Sequence, residues 1–227
     1  MKVAIILAKS FSKRIPNKNF KMFNGKPMIA WTIQVAKKSK IFDKIIISTD
    51  DKKKITKLKK YNTEVIIRPK ELSKEKYGID EVMNYSLSLI KDNIKYACCL
   101  FPCAPLMSSE DIVKGYKKIK TNKYQYIFAG SNFSHPIEKS FKIRNNKIKM
   151  NFSKKFMQIS AKFLKKNYHD TGYFYWAKPS TWKNNSFEYN SKSSFIKIPN
   201  WRAQDLDDFD DLKKVDLIFK SLNKSSF

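Results

Sequence analysis

The sequence predicts a doubly wound α/β fold in which helices cover both faces of one parallel sheet. Short apolar runs alternate with helix-like stripes through the first half of the chain, and this alternation is typical of parallel strands joined by right-handed crossovers. The first run, Val3–Ala8, contains no polar residue, as expected of a strand buried on both faces. A chain of 227 residues fits a single domain, 1–227, with a sizeable core.

The remaining elements of the first half follow from the spacing of their apolar residues. Met28, Trp31 and Val35 recur at helical intervals. Because proline favours the first helical turn, we predict a helix over Pro27–Lys38. Further strands are predicted at Lys44–Thr49, Glu64–Ile67, Tyr96–Phe101 and Tyr126–Ala129. Further helices are predicted over Asp50–Lys60, on the stripe Ile79, Val82, Met83, Leu87 and Ile90, and on the stripe Ile112, Val113, Tyr116 and Ile119.

The pattern changes in the second half of the chain. Between 134 and 166 the alternation weakens into the stretch "IRNNKIKMNFSKKF", which indicates a hairpin-like excursion from the core. Strand signals return at Gly172–Trp176 and Phe195–Ile198. A last amphipathic helix is predicted over Asp208–Leu222, and its apolar face holds Phe209, Leu212, Val215, Ile218 and Leu222.

The formal net charge of +27 first suggests a nucleic acid or an anionic membrane as the partner. The 47 basic residues include only four arginines, at 14, 68, 144 and 202, so lysine carries nearly all of the charge. Phosphate and base recognition favours the planar fork of arginine. Because the lysines are also spread along the whole chain, we predict solvated surface charge and expect neither nucleic acid nor membrane as the partner.

The three cysteines, Cys98, Cys99 and Cys103, cluster in one apolar stretch and match neither a metal-binding spacing nor a disulfide framework. Reduced thiols in a core strand of a cytoplasmic protein are the simpler interpretation. No targeting segment is predicted, since the apolar run Val3–Ala8 is shorter than the core of a signal peptide and far short of a membrane span.

A basic loop, "ILAKSFSKRIPNKN" at 6–19, follows the first predicted strand. In open parallel sheets ligands bind beyond the carboxyl ends of the strands, where this loop lies. Its cations could enclose a polyphosphate together with backbone N–H groups; they are Lys9, Lys13, Arg14 and Lys18. The loop is neither a Walker loop nor a dinucleotide fingerprint, because it lacks the glycine pattern of both. A phosphate site and a merely basic surface turn both fit these residues.

The segment "WRAQDLDDFDDL" at 201–212 holds a second group of candidate site residues. Asp205 and Asp207 are two positions apart, so both carboxylates leave an extended segment on the same side. Mg²⁺ takes one or two carboxylates and completes its shell with water and substrate phosphates. The alternative is that these acids favour the start of a helix; we assign that capping role to Asp208 and the acids after it.

The segment "YHDTGYFYW" at 168–176 holds one of the two histidines of the chain. His169 and its aromatic neighbours could simply belong to the core. Because they surround a glycine, they could instead wall a sugar pocket. Both interpretations fit the residues.

Taken together, these stretches resemble the signature motifs of the sugar-acid cytidylyltransferases. The loop at 6–19 is followed, in the family's order, by "IIISTDD" (45–51), "RPKELS" (68–73), "FPCAPL" (101–106) and "QDLDD" (204–208). The aromatic segment at 168–176 and the form "PCAP" are more similar to the pseudaminic acid branch than to the sialic acid branch. The resemblance covers nearly the whole chain and implies a Rossmann-like nucleotide-diphospho-sugar transferase fold with a mostly parallel sheet.

The resemblance also implies a reaction. CTP would be joined to a nine-carbon 2-keto sugar acid, giving the CMP-sugar and pyrophosphate, with Mg²⁺ as the cofactor. As catalytic residues, Lys18 would face the α-phosphate and Lys13 the β- and γ-phosphates. Further contacts to the nucleotide are implied for Ala8, Lys9, Ser12, Asn19 and Arg68.

The metal and sugar sites are implied by the resemblance on the second half of the chain. Asp205 and Asp207 would hold Mg²⁺, and Asp207 would also orient or deprotonate the sugar hydroxyl. The excursion at 134–166 corresponds to the family's dimerisation segment, which lends residues to the partner's sugar site and so implies a homodimer. Contacts to the sugar acid are implied for Lys139, His169, Tyr173 and Tyr175.

Three departures from the family pattern leave alternatives open. Lys9 stands where the family has arginine, the pair Ser10-Phe11 replaces the common Gly-Gly, and Gly78-Ile79 stands where relatives often carry small hydroxyl residues. The last two departures leave the choice of nucleotide open, and the three together leave open a binding relative without catalysis. Within the same family, the sugar acid could also be sialic, legionaminic or another nonulosonic acid. A basic nucleic-acid-binding protein is the alternative from another class.

Overall fold

The computed structural model describes residues 1–184 and 189–224 of the chain. Seven strands form the central sheet, and the other four form two small hairpins. The strands are β1 (Lys2–Ala8), β2 (Met22–Phe23), β3 (Lys26–Pro27), β4 (Lys44–Thr49), β5 (Glu64–Ile67), β6 (Tyr96–Leu100), β7 (Tyr126–Asn132), β8 (Phe141–Arg144), β9 (Lys147–Met150), β10 (Tyr168–Ala177) and β11 (Ser193–Lys197). The helices are α1 (Met28–Lys38), α2 (Lys52–Ile55), α3 (Ile79–Ser88), α4 (Ser109–Ile119), α5 (Lys155–Gln158), α6 (Pro179–Lys183) and α7 (Phe209–Lys224).

The central sheet has the strand order β11-β7-β10-β6-β1-β4-β5. The strands β6, β1, β4 and β5 run parallel, and β11 runs parallel to β7. The long strand β10 lies between β6 and β7 and is antiparallel to both. The sheet is therefore mostly parallel, as predicted, and the carboxyl ends of β1, β4 and β6 open on one edge.

Helices pack on both faces of the sheet, which confirms the doubly wound α/β prediction. Ala4, Ile6 and Ala8 of β1 belong to the larger core, together with apolar residues of α1, α4 and α7. Val3 and Ile5 face the other way into a second core that includes residues of α3 and α6. The strand is thus buried on both faces, as its unbroken apolar run predicts.

Most predicted elements are present, with small shifts at their ends. The last helix begins at Phe209 rather than at 208, and Pro27 precedes α1 while pairing in β3. The predicted helix over Asp50–Lys60 is wrong in its extent, because α2 is a single turn that continues as a 3₁₀-helix over Thr56–Tyr61. Six of residues 52–60 are lysines, and like charges one turn apart destabilise an α-helix.

The excursion at 134–166 contains the hairpin β8–β9, as the sequence predicts. Asn145 and Asn146 form its turn with φ angles of 50° and 57°, the left-handed geometry that suits a tight hairpin. The hairpin pairs with no strand of the central sheet in the described part of the chain. Large apolar side chains remain exposed on the excursion: Phe141, Ile143, Ile148, Met157 and Phe163.

The three cysteines lie in or next to the central strand β6. Cys98 and Cys99 are buried in β6 and Cys103 is partly buried just after it, and all three are free thiols, as predicted. Across residues 1–184 and 189–224, no helix combines the length and the apolar character needed to cross a bilayer.

Candidate active site

A cavity of about 410 Å³ opens at the carboxyl edge of the central sheet, where the fold class places a ligand. Its walls come from the basic loop after β1, the turn after β6, the segment 72–79 and the segment that precedes α7. A neighbouring cavity of about 720 Å³ shares Lys9, Arg14 and Lys18 with the first and adds Ser12 and Lys13. The basic loop therefore lies at the junction of two connected hollows.

Asp50 anchors the basic loop from the end of the neighbouring strand β4. The backbone N of Ser10 donates a hydrogen bond of 2.7 Å to Oδ1 of Asp50, and Oγ of Ser10 donates one of 2.8 Å to Oδ2. Burial alone would raise the pKa of Asp50, but these hydrogen bonds outweigh it and the pKa is lowered, so the anchor stays ionised. The Nζ of Lys54 also donates to the Ser10 carbonyl oxygen, at 3.1 Å, and to Oδ1 of Asn17, at 2.7 Å.

Asn19 fixes the far end of the same loop. Its Nδ2 donates a hydrogen bond of 2.7 Å to the carbonyl oxygen of Lys9, and its Oδ1 accepts one of 3.1 Å from the thiol of Cys103. Burial raises the pKa of Cys103 to about 12, so the thiol keeps the proton that it donates. The sequence placed Asn19 in the site, but it gave no sign that Cys103 would hold it.

Two cations and one carboxylate converge at the mouth of the smaller cavity. Nη2 of Arg14 lies 2.6 Å from Oδ1 of Asp207, and Nζ of Lys18 lies 3.8 Å from the same oxygen. Lys18 also donates a hydrogen bond to the carbonyl oxygen of Leu206. Lys13 points elsewhere and pairs with the exposed Glu75 at 2.8 Å. The structure thus brings Arg14 and Lys18 to the acidic segment, whereas Lys13 lines only the larger cavity and pairs with Glu75.

Asp205 and Asp207 face the same cavity because Leu206, between them, is fully buried on the opposite side. This is the geometry that their spacing predicts. Desolvation at the cavity wall, followed by the negative charge of Asp207, raises the pKa of Asp205, although the residue as a whole stays exposed to solvent. The backbone N of Leu206 donates a hydrogen bond of 2.7 Å to Oδ1 of Asp205.

The helix-capping role belongs to other acids of this segment. The backbone N of Asp211 donates to Oδ1 of Asp208, at 2.9 Å, and that of Asp208 donates back to Oδ2 of Asp211, at 3.2 Å. The backbone N of Asp207 also donates to Asp211, at 2.9 Å. Since Asp208 and Asp211 cap α7 reciprocally, the carboxylates of Asp205 and Asp207 remain for the cavity.

The donor set of this cavity fits Mg²⁺. Gly172 lines the same cavity with a φ of 63°, a backbone conformation that favours glycine, and a Cβ placed on it would lie 4.0 Å from Oδ2 of Asp205. Within the described residues no group of three or more His, Cys, Asp or Glu side chains is suited to a metal ion. Mg²⁺ needs no such cluster, because it binds to one or two protein carboxylates and completes its coordination shell with water and substrate phosphates. Asp205 and Asp207 supply the two carboxylates here.

Arg68 lies in the floor of the smaller cavity and is buried. Its Nη1 donates a hydrogen bond of 2.5 Å to the carbonyl oxygen of Ser48, and its Nε and Nη2 reach Oγ of Ser73 at 3.3 and 3.2 Å. Burial lowers the pKa of its guanidinium, while the charge of Asp50 opposes that shift. Arg68 therefore joins the end of β4 to the 3₁₀-helix at Lys70–Ser73, beside the cavity.

The predicted sugar contacts lie outside both cavities. Lys139 is half-buried in the 3₁₀-helix Ile137–Lys139, and the His169 ring packs 4.9 Å from the ring of Phe133. Tyr173 and Tyr175 are buried in β10, where the Tyr175 hydroxyl donates a hydrogen bond of 2.7 Å to Asp170. Their contacts with a sugar acid stay predictions.

One wall of the site has little signal in the sequence. Lys74 and Glu75 line both cavities, and Tyr77 lines the smaller one. They follow the "RPKELS" stretch by only a few positions, but no residue pattern there separates a cavity wall from an ordinary polar loop. Arg14, by contrast, is one of the four loop cations that the sequence predicts for a polyphosphate, and the structure distinguishes it by its contact with Asp207.

Comparison with known proteins places these features in a family context. The sequence model of the cytidylyltransferase family matches residues 3–213. The chain is 31% identical over 229 residues to a pseudaminic acid cytidylyltransferase of Campylobacter jejuni, with 99% of each chain covered. It is 33% identical over 135 residues to an N-acylneuraminate cytidylyltransferase of Escherichia coli, covering 59% of this chain and 32% of that protein.

Solved structures support the fold. A CMP:2-keto-3-deoxy-manno-octonic acid synthetase complexed with CTP matches with a TM-score of 0.73 at 13% identity, covering 97% of this chain and 99% of that one. A 4-diphosphocytidyl-2C-methyl-D-erythritol synthase from Anaerococcus prevotii matches with a TM-score of 0.64 at 12% identity, covering 96% and 98%. The Rossmann-like architecture is therefore shared with enzymes whose names denote cytidylyl chemistry.

Proposed function

This chain belongs to the cytidylyltransferase family, and we propose that it joins CTP to pseudaminic acid, giving the CMP-sugar and pyrophosphate. One observation carries the proposal most directly: Arg14 and Lys18 converge with Asp207 beside Asp205, in one cavity at the carboxyl edge of the sheet. A site that pairs phosphate-binding cations with two carboxylates suits a nucleoside triphosphate and its divalent ion. Two relatives that cover 99% of this chain are named for pseudaminic acid.

The chemical step is an in-line displacement at the α-phosphorus. The anomeric hydroxyl oxygen of the sugar acid bonds to phosphorus, the bond from phosphorus to the bridging β-phosphate oxygen breaks, and pyrophosphate leaves. Asp207 orients that hydroxyl and accepts its proton. Negative charge grows on the leaving pyrophosphate in the transition state. Lys18, which faces the α-phosphate, and Lys13, which turns from Glu75 to the β- and γ-phosphates, stabilise that charge.

Asp205 and Asp207 would hold Mg²⁺, which supplies positive charge beside the phosphates and the leaving group. Binding of the nucleotide then requires Arg14 to exchange the Asp207 carboxylate for phosphate oxygens. The planar guanidinium can contact two such oxygens at once. In this chain Arg14 thereby restores part of what is lost where Lys9 replaces the family's arginine.

We propose a homodimer formed through the excursion at 134–166. Its exposed apolar side chains support this assembly: Phe141, Ile143, Ile148, Met157 and Phe163. In such a dimer Lys139 of one protomer would approach the sugar carboxylate bound by the other. We place the reaction in the cytoplasm, where CTP is available and where buried free thiols stay reduced.

Pyrophosphate release from the purified chain tests the function. Each trial combines Mg²⁺ with CTP or another nucleoside triphosphate, and with pseudaminic, legionaminic or sialic acid. Release with CTP and pseudaminic acid alone is the expected result. Release only with sialic acid would show that the proposed sugar acid is wrong and that the proposed reaction class is right. Tight oligonucleotide binding with a steep salt dependence, and no release with any pair, would replace the enzyme by a nucleic-acid-binding protein.

A further inference from the structure

The two metal-binding carboxylates proposed above lie on a segment without regular secondary structure, so something else must hold them still. Residues 203–207 are neither helix nor strand. From the cavity side the segment is contacted by Arg14 and Lys18. Both cations are needed by the phosphates once nucleotide binds, so they cannot fix Asp205 and Asp207 during the reaction. The lasting support has to come from behind the segment.

Arg202 provides the first part of that support. Its guanidinium forms a forked pair with Asp111, with Nη1 at 2.5 Å from Oδ2 and Nη2 at 3.1 Å from Oδ1. Nη1 also approaches the carbonyl oxygen of Leu106 at 3.3 Å. The side chains of Arg202 and Asp111 are only 14% and 4% exposed, so the pair is largely shielded from water and its geometry is fixed by two parallel hydrogen bonds.

Tyr173 provides the second part. Its hydroxyl donates a hydrogen bond to the carbonyl oxygen of Arg202 and accepts one of 3.2 Å from the backbone N of Gln204, the residue before Asp205. Burial raises the pKa of Tyr173, so the hydroxyl keeps the proton that it donates. One buried hydroxyl therefore holds the backbone on both sides of Ala203.

Helix α4 and strand β10, which carry the two side chains that hold the segment from behind, are themselves tightly fixed. Asp111 also belongs to the capping box of α4, where it accepts from the backbone N of Ser108 at 3.2 Å. Gly115 of the same helix lies so close to β10 that a Cβ there would come within 2.8 Å of both Phe174 and Trp176. Helix α4 and strand β10, which carry Asp111 and Tyr173, thus form one tightly packed unit.

We propose that Tyr173, together with the Arg202–Asp111 pair, is a positioning device that holds Asp205 and Asp207 in the geometry that binds the divalent ion. This inference depends on the proposed function and assigns Tyr173 a role that does not involve the sugar acid. None of Arg202, Asp111 and Tyr173 lines either cavity, so their effect on the reaction passes through the acidic segment. Groups behind metal ligands commonly tune affinity in this way.

The test is a titration of full-length wild-type protein and the variant Tyr173→Phe with Mn²⁺ in the presence of CTP and without sugar acid. Free Mn²⁺ is followed by its electron paramagnetic resonance signal, and the Mn²⁺ held by CTP alone is subtracted. We expect Tyr173→Phe to raise the Kd of Mn²⁺ about tenfold. Binding of metal-free CTP, measured by calorimetry in EDTA, should be unchanged.

The matched control is Tyr96→Phe, which also removes one buried hydroxyl from the central sheet. Tyr96 is buried in β6, and its hydroxyl donates to Asn122 at 3.4 Å, away from the acidic segment. This variant should bind Mn²⁺ as the wild type does. Arg202→Lys is a second probe, because it keeps the charge beside Asp111 but loses the fork, and it should also raise the Kd of Mn²⁺.

Three outcomes would overturn the inference. The first is an unchanged Kd of Mn²⁺ in both Tyr173→Phe and Arg202→Lys. The second is an unchanged Kd of Mn²⁺ with a raised KM for the sugar acid in Tyr173→Phe, which would return this tyrosine to the sugar site. The third is absence of Mn²⁺ binding by the wild-type protein with CTP, which would remove the metal assignment itself. If that wild-type protein still released pyrophosphate, the proposed reaction would stand although the assignment of the metal site had failed.

Discussion

Arg14 and Asp207 are 193 positions apart in the chain, and their side chains meet at 2.6 Å across the mouth of the cavity. The contact joins the basic loop after β1 to the acidic segment before α7. It also occupies two groups that the proposed reaction needs for other partners. The site without ligand is therefore held together by the charges that substrates are expected to separate.

The first prediction concerns Arg14. Replacing Arg14 by alanine should lower kcat/KM for CTP roughly thirtyfold, since a charge-assisted hydrogen bond to phosphate contributes about 2 kcal/mol. Initial rates of pyrophosphate release over a range of CTP concentrations give the value. Lys21→Ala is the matched control, because Lys21 is exposed close to the loop and lines neither cavity. Equal losses in the two variants would reduce the role of Arg14 to general surface charge.

The second prediction separates binding from chemistry at Lys18. Its contact with the α-phosphate should strengthen as charge develops, so Lys18→Ala should lower kcat about 10²- to 10³-fold. The Kd of CTP, measured by calorimetry, should change much less. A variant that retains wild-type kcat would remove Lys18 from the transition state.

The third prediction concerns the metal requirement. Asp207→Asn should raise the Mg²⁺ concentration that gives the half-maximal rate, because one of the two carboxylates proposed to hold the ion is lost. Asp210→Asn is the control; Asp210 is exposed in the first turn of α7 and lines neither cavity. The same Mg²⁺ dependence in Asp207→Asn and wild type would leave this acid with only its ion pairs to Arg14 and Lys18.

The fourth prediction follows from the raised pKa of Asp205. Between the model-peptide value of 3.8 and that raised pKa, the folded protein binds more protons than the unfolded chain. Ionised Asp205 therefore destabilises the metal-free fold at neutral pH, and this penalty disappears as the pH falls through the raised pKa toward 3.8.

Asp205→Asn keeps an oxygen for the backbone N of Leu206 and removes the charge, so in EDTA it should raise Tm at pH 7. Each kcal/mol gained corresponds to about 2 to 4 °C in a chain of this size. The difference from wild type should shrink as the pH is lowered toward 4. At neutral pH, saturating Mg²⁺ should reverse the order, because only the wild type keeps both carboxylates. A difference in Tm that is independent of pH would contradict the electrostatic cause.

The sequence predicts those structural features that depend on residues close to one another in the chain. Leu206 is apolar between two acids, and this alone indicates that Asp205 and Asp207 share one face. The interval between Asp208 and Asp211 likewise indicates the helix cap that the structure contains. The unbroken apolar run of β1 predicts its double burial. Each of these features depends on residues within a few positions of one another.

Contacts between distant segments could not be predicted in this way. Asp50 holds Ser10 across 40 positions, and Cys103 holds Asn19 across 84. No spacing rule connects such pairs, because the sheet order that brings their strands together is itself set by packing. The two hydrogen bonds that the Tyr173 hydroxyl forms with the backbone of Arg202 and Gln204 were not predicted, for the same reason. The aromatic segment at 168–176 fitted both a core strand and a sugar pocket, and it does not indicate which way the Tyr173 side chain points.

The placement of β10 has a consequence for synthesis of the chain. Within the described residues, β7 pairs with β10 and β11 alone, and both follow it in the sequence. A nascent chain that has emerged only as far as residue 167 therefore presents β7 with two unpaired edges and β6 with one. Such edges are templates for aggregation. Folding of this half of the sheet must wait for β10 to insert, so pauses in translation before that strand prolong the exposure of an aggregation-prone intermediate.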